Sequence, residues 1–260
     1  MRRTVDIASA SALVVGGTAG IGHAGAQALL EAGLRRLVIS GRSPGRGLAA
    51  RARLAERFPG AEIHYLQCNA VHAEEADALA EATAERLGSI DILLSSGGGD
   101  PMPRLLHQIP TAELMPTISS IVAGIIHPAR AVLPHMSRQG GGAVICLASD
   151  AAKVATPGET AIGAAMAAIV MFCRGMANEA KRNGIRVNCL TPSIVRGTPL
   201  YDTLMADPFC NRLFGKAETM ASLGIVEPED LAAMVVFLAS PAAARLTGQT
   251  ISINGGISAV

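Results

Sequence analysis

The chain has 260 residues and a formal net charge of +1; half of its residues are hydrophobic and 17% are charged. That is enough apolar material for a sizeable buried core, while the lack of Trp, the two tyrosines and the absence of any basic block exclude the usual nucleic-acid surfaces. The longest apolar run, 161–173, is shorter than the roughly 20 residues that cross a bilayer, and the start MRRTVDIASASALVV lacks the long apolar stretch and cleavage site of a signal peptide.

Strand-like and helix-like segments alternate from end to end. SALVV (11–15) is a short apolar run that enters a glycine-rich turn, GGTAGIG (16–22), and then a helical pattern through Leu30. RLVIS (36–40), EIHYL (62–66), DILLS (91–95), AVICLAS (143–149), IRVNCL (185–190) and QTISI (249–253) read as further strands. The clearest helices between them are 73–87, 111–137, 159–182 and 227–239. Near-continuous Val/Ile/Leu strands separated by helices predict a doubly wound parallel sheet covered on both faces, an α/β fold. Pro128 falls inside the 111–137 pattern and is expected to kink or break that helix. The stretch 192–224, with Pro192, Gly197-Thr-Pro and Asp207-Pro, is the least regular and reads as a long excursion that covers the carboxyl ends of the strands, where ligands of such sheets bind. No repeat or linker divides the chain, so a single domain is expected over 1–260. The five cysteines (68, 146, 173, 189 and 210) are odd in number, widely spaced and without metal-ligand spacing; they read as buried, reduced thiols of a cytoplasmic protein with no metal site.

A strand, a turn carrying Gly16, Gly20 and Gly22, and a helix bring backbone N–H groups close to a pyrophosphate. By itself this is equally a strand-to-helix turn. The spacing resembles the short-chain dehydrogenase/reductase (SDR) family, whose pattern is Thr-Gly-x-x-x-Gly-Ile-Gly. DILLSSGG (91–98), LPHM (133–136), GGGAVICLAS (140–149), GIRVNCLTP (184–192) and FLASPAAARLTGQTISINGG (237–256) match that family in order along essentially the whole chain. The resemblance implies a Rossmann-type sheet of about seven strands, with 192–224 as a lid on the substrate side. It also implies assembly, commonly as a tetramer, through the helix after the fifth strand and the C-terminal strand.

Under the resemblance, the dinucleotide contacts are Gly16, Thr18, Gly20, Ile21 and Gly22 of the first loop, Asn69 and Ala70 beside the adenine, Ser96, Gly97 and Gly98 after the fourth strand, and Thr198. Gly41-Arg42 follows the second strand, where NAD users carry an acidic side chain. With no carboxylate there and a guanidinium in reach, NADP is favoured over NAD; otherwise Arg42 and Arg46 are solvated surface charges. Val15 stands for the family's threonine, Ser95-Ser96 for its paired asparagines and Ser193 for a glycine near Pro192, and loss of the asparagines' cross-strand hydrogen bonds is expected to loosen the nucleotide shelf.

Four catalytic positions follow from the same resemblance. Ser149 is in place, but the tyrosine position is Ile162, the lysine position Met166 and the asparagine position Ile121. Gly163, Ala164 and Ala167 keep the surrounding register. Positioned acid/base groups speed such chemistry about 10²–10⁴-fold, so three apolar replacements imply a scaffold without its proton relay. Three readings remain: a non-catalytic subunit in a homo- or hetero-oligomer beside an active paralogue, an NADP-dependent oxidoreductase using Ser149 with Tyr201, and an NADP-binding sensor. Asp150, Lys153, Glu159 and His107 are further groups able to approach the cleft, and His127 and His135 read as interface or surface histidines. The apolar residues Leu204, Met205, Phe209 and Leu213 of the lid suit a hydrophobic or acyl ligand, or equally a subunit contact.

Overall fold

A computed structural model describes residues 6–99 and 101–260. Its seven strands are β1 (Ser11–Val15), β2 (Arg36–Gly41), β3 (Glu62–Gln67), β4 (Ile92–Ser95), β5 (Gly142–Leu147), β6 (Ile185–Pro192) and β7 (Thr250–Ile253). They form one sheet in the order β3-β2-β1-β4-β5-β6-β7, and every neighbouring pair is parallel. The order reverses between β1 and β4, the place where an open parallel sheet opens a crevice for ligands.

Alternation along each strand divides the apolar residues between two faces. Leu13, Val15, Val38, Leu93, Val144, Cys146, Val187 and Cys189 face one core, which α3 (Ala73–Leu87), α4 (Thr111–Gln139) and α5 (Thr160–Ala180) cover. Ala12, Val14, Leu37, Ile39, Leu94, Ile145, Leu147 and Leu190 face the other, covered by α1 (Gly20–Glu31), α2 (Pro44–Arg57) and α8 (Pro228–Ala239). Both faces are thus dry, which explains why the strands read as unbroken apolar runs. All five cysteines are free and buried.

Two sequence expectations meet a different outcome here: Pro128 does not break its helix, and 192–224 carries two helices. Helix α4 runs unbroken through Pro128. Pro128, Ile125, Ala129 and Val132 are all buried, and this packing outweighs the roughly 3 kcal/mol that an interior proline costs a helix. The segment 192–224 is not irregular either: it carries α6 (Pro199–Ala206) and α7 (Pro208–Met220). Thr-Pro and Asp-Pro looked like breaks but are helix starts. The Thr198 Oγ1 accepts from the Tyr201 N–H at 3.1 Å, Asp207 Oδ1 accepts from the N–H groups of Phe209 and Cys210 at 3.0 and 2.8 Å, and each proline occupies the first turn, where its missing N–H costs nothing. By length and composition alone α4 and α5 could cross a membrane, but here each packs one face on the sheet and on the other helix.

Candidate functional site

A cleft of about 610 Å³ opens at the carboxyl ends of the strands. The β1–α1 loop forms its floor. Gly16 and Gly20 adopt φ of 79° and 52°, which a side chain disfavours. A Cβ on Gly22 would run into the Gly16 carbonyl and come within 2.6 Å of Ser96 Oγ. No side chain caps α1, so its first N–H groups are left to meet an anion. In the shelf beside it, serines stand where the asparagines are expected. The Ser96 hydroxyl donates to the Val15 carbonyl at 2.7 Å, and Ser95 donates to the Ile125 carbonyl at 3.0 Å. The serines therefore tie β4 to β1 and to α4.

Every residue assigned to the dinucleotide by sequence lines this one cleft: Gly16, Thr18, Gly20, Ile21, Gly22, Arg42, Asn69, Ala70, Ser96, Gly97, Gly98 and Thr198. Ser43, Arg46 and Val71 join them. Arg42 and Arg46 are exposed, and among the described residues no carboxylate pairs with either guanidinium. Thr198 donates to the Val195 carbonyl at 3.0 Å while a Cβ on Gly20 would lie 3.5 Å from its methyl group, so the residue that caps α6 sits beside the glycine loop. The cradle left by the glycines, the uncapped helix end and the two unpaired guanidiniums fit a ligand with a pyrophosphate and a further phosphate.

The middle of the cleft is apolar where the resemblance puts acid/base groups. Ser149 follows β5, and its Oγ accepts from the Ala151 N–H at 3.2 Å. Ile162 and Met166, on successive turns of α5, both line the cleft. Ile121 does not: it is buried in the α4 side of the core, and Ser120 beside it reaches the cleft instead. The helix rotation of one residue decides this, and counting from motifs does not resolve it.

The other titratable candidates fall into separate places. His107 is exposed, and His107, His127 and His135 are absent from the cleft wall. Tyr201 lines the cleft, but its hydroxyl donates to Glu218 Oε1 at 2.9 Å, and Arg196 approaches the same carboxylate at 3.4 Å. Asp150 and Lys153 are committed to each other and to the C-terminal segment. Asp150, only 5% exposed, meets the Lys153 ammonium at 3.3 Å and accepts from the Ser252 and Ser258 hydroxyls at 2.9 and 3.1 Å and from the Asn254 amide. Lys153 donates to Ser252 as well. This knot anchors Ile257 and Ser258, which form one wall of the cleft. Sequence reading missed it because its members are a hundred residues apart. Glu159 also lines the cleft, and burial holds its carboxyl above the usual carboxylate range against the opposing hydrogen bond from Thr156.

Comparison with known proteins agrees with this architecture. The family model described as enoyl-(acyl carrier protein) reductase matches residues 16–258. A 3-oxoacyl-[acyl-carrier-protein] reductase of Synechocystis is 32% identical over 248 residues, covering 95% of this chain and 96% of its own. The short-chain reductase protein NovJ of Streptomyces niveus is 32% identical over 249 residues, covering 94% and 92%. Among solved structures, an NADPH-bound short-chain oxidoreductase from Pseudomonas aeruginosa PAO1, described as containing an atypical catalytic center, superposes with a TM-score of 0.89 at 30% identity, over 98% of this chain and 99% of that one. With the sheet order, the glycine loop and these matches over nearly its whole length, the chain belongs to the short-chain dehydrogenase/reductase family of oxidoreductases.

Proposed function

We propose that the chain binds NADP(H) in this cleft and acts as a subunit without the family's own proton relay, in an oligomer with an active paralogue. One observation carries the reading: the two α5 positions that would hold the tyrosine and lysine turn Ile162 and Met166 to the cleft. Neither side chain can move a proton, and Met166 avoids burying an ammonium that would have no partner. The choice of NADP rests on Arg42 and Arg46, which no acidic side chain among the described residues neutralises. When bound, the nicotinamide supplies hydride-carrying chemistry; the chain's part is to hold the pyrophosphate at α1, the adenosine end at Arg42 and Asn69, and the lid at Thr198. The Pseudomonas neighbour, described as NADPH-bound with an atypical catalytic center, supports the coexistence of a changed centre with nucleotide binding. Met115 and Met171, 62% and 63% exposed on α4 and α5, support an assembly surface on these helices.

A second reading, an oxidoreductase with a rebuilt acid/base, is favoured by the place of Tyr201 on the cleft wall. Against it, the phenolic proton is already given to Glu218. The test is calorimetry with NADPH and NADH, followed by turnover assays with a 3-oxoacyl thioester on the homogeneous protein. NADPH binds more tightly than NADH, the parent does not turn over, and the double replacement Ile162→Tyr with Met166→Lys gains activity on the order of 10²-fold or more. Turnover by the parent at rates ordinary for the family discards the non-catalytic reading. Absence of NADPH binding discards the nucleotide.

A further inference from the structure

Arg42 and Arg46 reach the cleft from a tight connection. β2 ends at Gly41 and α2 begins at Pro44, so only Arg42 and Ser43 lie between them, and Arg46 falls in the first turn of the helix. Both side chains are exposed, and an exposed arginine loses side-chain entropy when an anion fixes it. A backbone held rigid beneath the two residues limits that loss to the side chains themselves, and it sets the direction from which each guanidinium meets a phosphate.

Tyr65 of β3 touches that backbone on both sides of the connection. It lies opposite Ile39 in the sheet, packs in the core that α2 covers, and is absent from the cleft wall. Its hydroxyl donates to the Gly41 carbonyl at 2.9 Å. The same carbonyl accepts from the Cys68 N–H at 3.2 Å, so it is already satisfied by the sheet and the hydroxyl adds a second restraint. The Tyr65 ring fills the space beneath Gly47, where a Cβ would run into it. Gly47 is buried and directly follows Arg46, so the ring sets how closely the first turn of α2 approaches the sheet. Gly41 also meets Thr18 of the glycine loop, which a Cβ would approach to 2.9 Å, and Gln67 of β3 donates to the Arg42 carbonyl at 3.3 Å.

We propose that Tyr65 is the positioning residue of the arginine pair: through Gly41 and Gly47 it holds Arg42 and Arg46 toward the 2′-phosphate of the dinucleotide, and so sets the preference for the phosphorylated cofactor without touching it. Losing the hydroxyl frees the Gly41 end of the connection, and losing the ring frees the Gly47 end as well. Neither loss disturbs the glycine loop at α1, which holds the pyrophosphate common to both cofactors. The inference rests on the NADP reading proposed above, but needs no turnover.

The test is calorimetry on the full chain with NADPH and NADH, which differ only in the 2′-phosphate, and the readout is the ratio of the two affinities. The wild type prefers NADPH. Tyr65→Phe, which keeps the ring and drops the hydroxyl, lowers the ratio about threefold, and Tyr65→Ala lowers it about tenfold or more, while NADH affinity stays within roughly twofold in both. Gly47→Ala, which sets a methyl group against the ring, lowers the ratio at least about threefold although alanine is the better helix former. A merely structural role for Tyr65 lowers both affinities together and leaves the ratio in place. Circular dichroism checks folding. An unchanged ratio in folded Tyr65→Ala overturns the proposal; if that variant does not fold, an unchanged ratio in both Tyr65→Phe and Gly47→Ala overturns it. A ratio that collapses in Arg42→Ala but holds in the Tyr65 variants strikes this inference alone. A wild type that binds both nucleotides equally, or neither, strikes the NADP reading and this inference with it.

Discussion

Removing the Asp150 carboxylate is expected to destabilise the fold through a knot that the sequence does not announce. Its side chain is 7% exposed and that of Lys153 is 17% exposed, so the pair is only weakly screened. Breaking a buried pair by deleting one partner costs about 3–5 kcal/mol, because the other charge is left buried. Asp150→Ala should fall in that range, since it strands the Lys153 ammonium and the donors of Ser252, Asn254 and Ser258 together. Asp150→Asn retains the volume and one acceptor, but its amide N–H groups would face the Asn254 amide, whose own oxygen already accepts the Gly256 N–H at 3.0 Å. One unmatched buried donor sets its cost at about 1–3 kcal/mol. Lys153→Met in the Asp150→Ala background should recover part of the loss, giving a coupling of about 1–3 kcal/mol in a double-mutant cycle. Urea unfolding followed by far-UV circular dichroism at one fixed protein concentration measures the wild type, Asp150→Ala, Asp150→Asn, Lys153→Met and the Asp150→Ala/Lys153→Met double variant. A cost below about 0.5 kcal/mol for Asp150→Ala, the level of an ordinary surface change, would refute the reasoning.

Three further outcomes follow from single features of the structure. Gly22→Ala places a methyl group against the Gly16 carbonyl and Ser96, so the loop must shift; NADPH affinity measured by calorimetry should fall at least about tenfold with little change in far-UV circular dichroism, scaled to a loss of about 1.4 kcal/mol. Glu159 has a folded-state pKa raised by burial. Its contribution to stability is therefore full below the unfolded pKa and is lost as pH rises through the folded value, so Glu159→Gln should stabilise the protein increasingly as pH rises above the unfolded carboxyl value and be near neutral below it, read from urea midpoints across pH. The Cys68 and Cys210 thiols are each raised from 9.0 to about 11, mainly by burial, and hydrogen bonding within the buried Cys146–Cys173–Cys189 group raises Cys173 and Cys189. At pH 8 a thiol so shifted carries about a hundredfold less thiolate, so Ellman's reagent should label the native protein slowly and all five thiols promptly after denaturation; rapid labelling of the native chain would count against the buried placement.

Much of the fold is legible in the sequence because it is local. The predicted helix 73–87 coincides with α3 (Ala73–Leu87), and SALVV coincides with β1 (Ser11–Val15), since period and punctuation act within one element. The lid helices were not legible: Thr198-Pro and Asp207-Pro are ambiguous between a break and a start, and the hydrogen bonds to Tyr201, Phe209 and Cys210 that settle the matter appear only in three dimensions. Pro128 does not break α4, because burial overrides the local propensity that sequence alone reads.

The residues around the cleft divide in the same way. The glycine loop, the guanidinium after β2 and the apolar identities of Ile162 and Met166 are set by sequence, because steric allowance and the capacity to carry a proton belong to the residue itself. Which side chain faces the cleft belongs to the tertiary structure. A single step of helix rotation sends Ile121 into the core and Ser120 to the cleft. Contacts spanning 102 to 108 residues bind Asp150 to Ser252, Asn254 and Ser258, and no spacing rule reaches that far. The setting of Glu159, on a cleft wall assembled from α5, the lid and the segment before them, exists only in the folded chain, where burial raises its carboxyl.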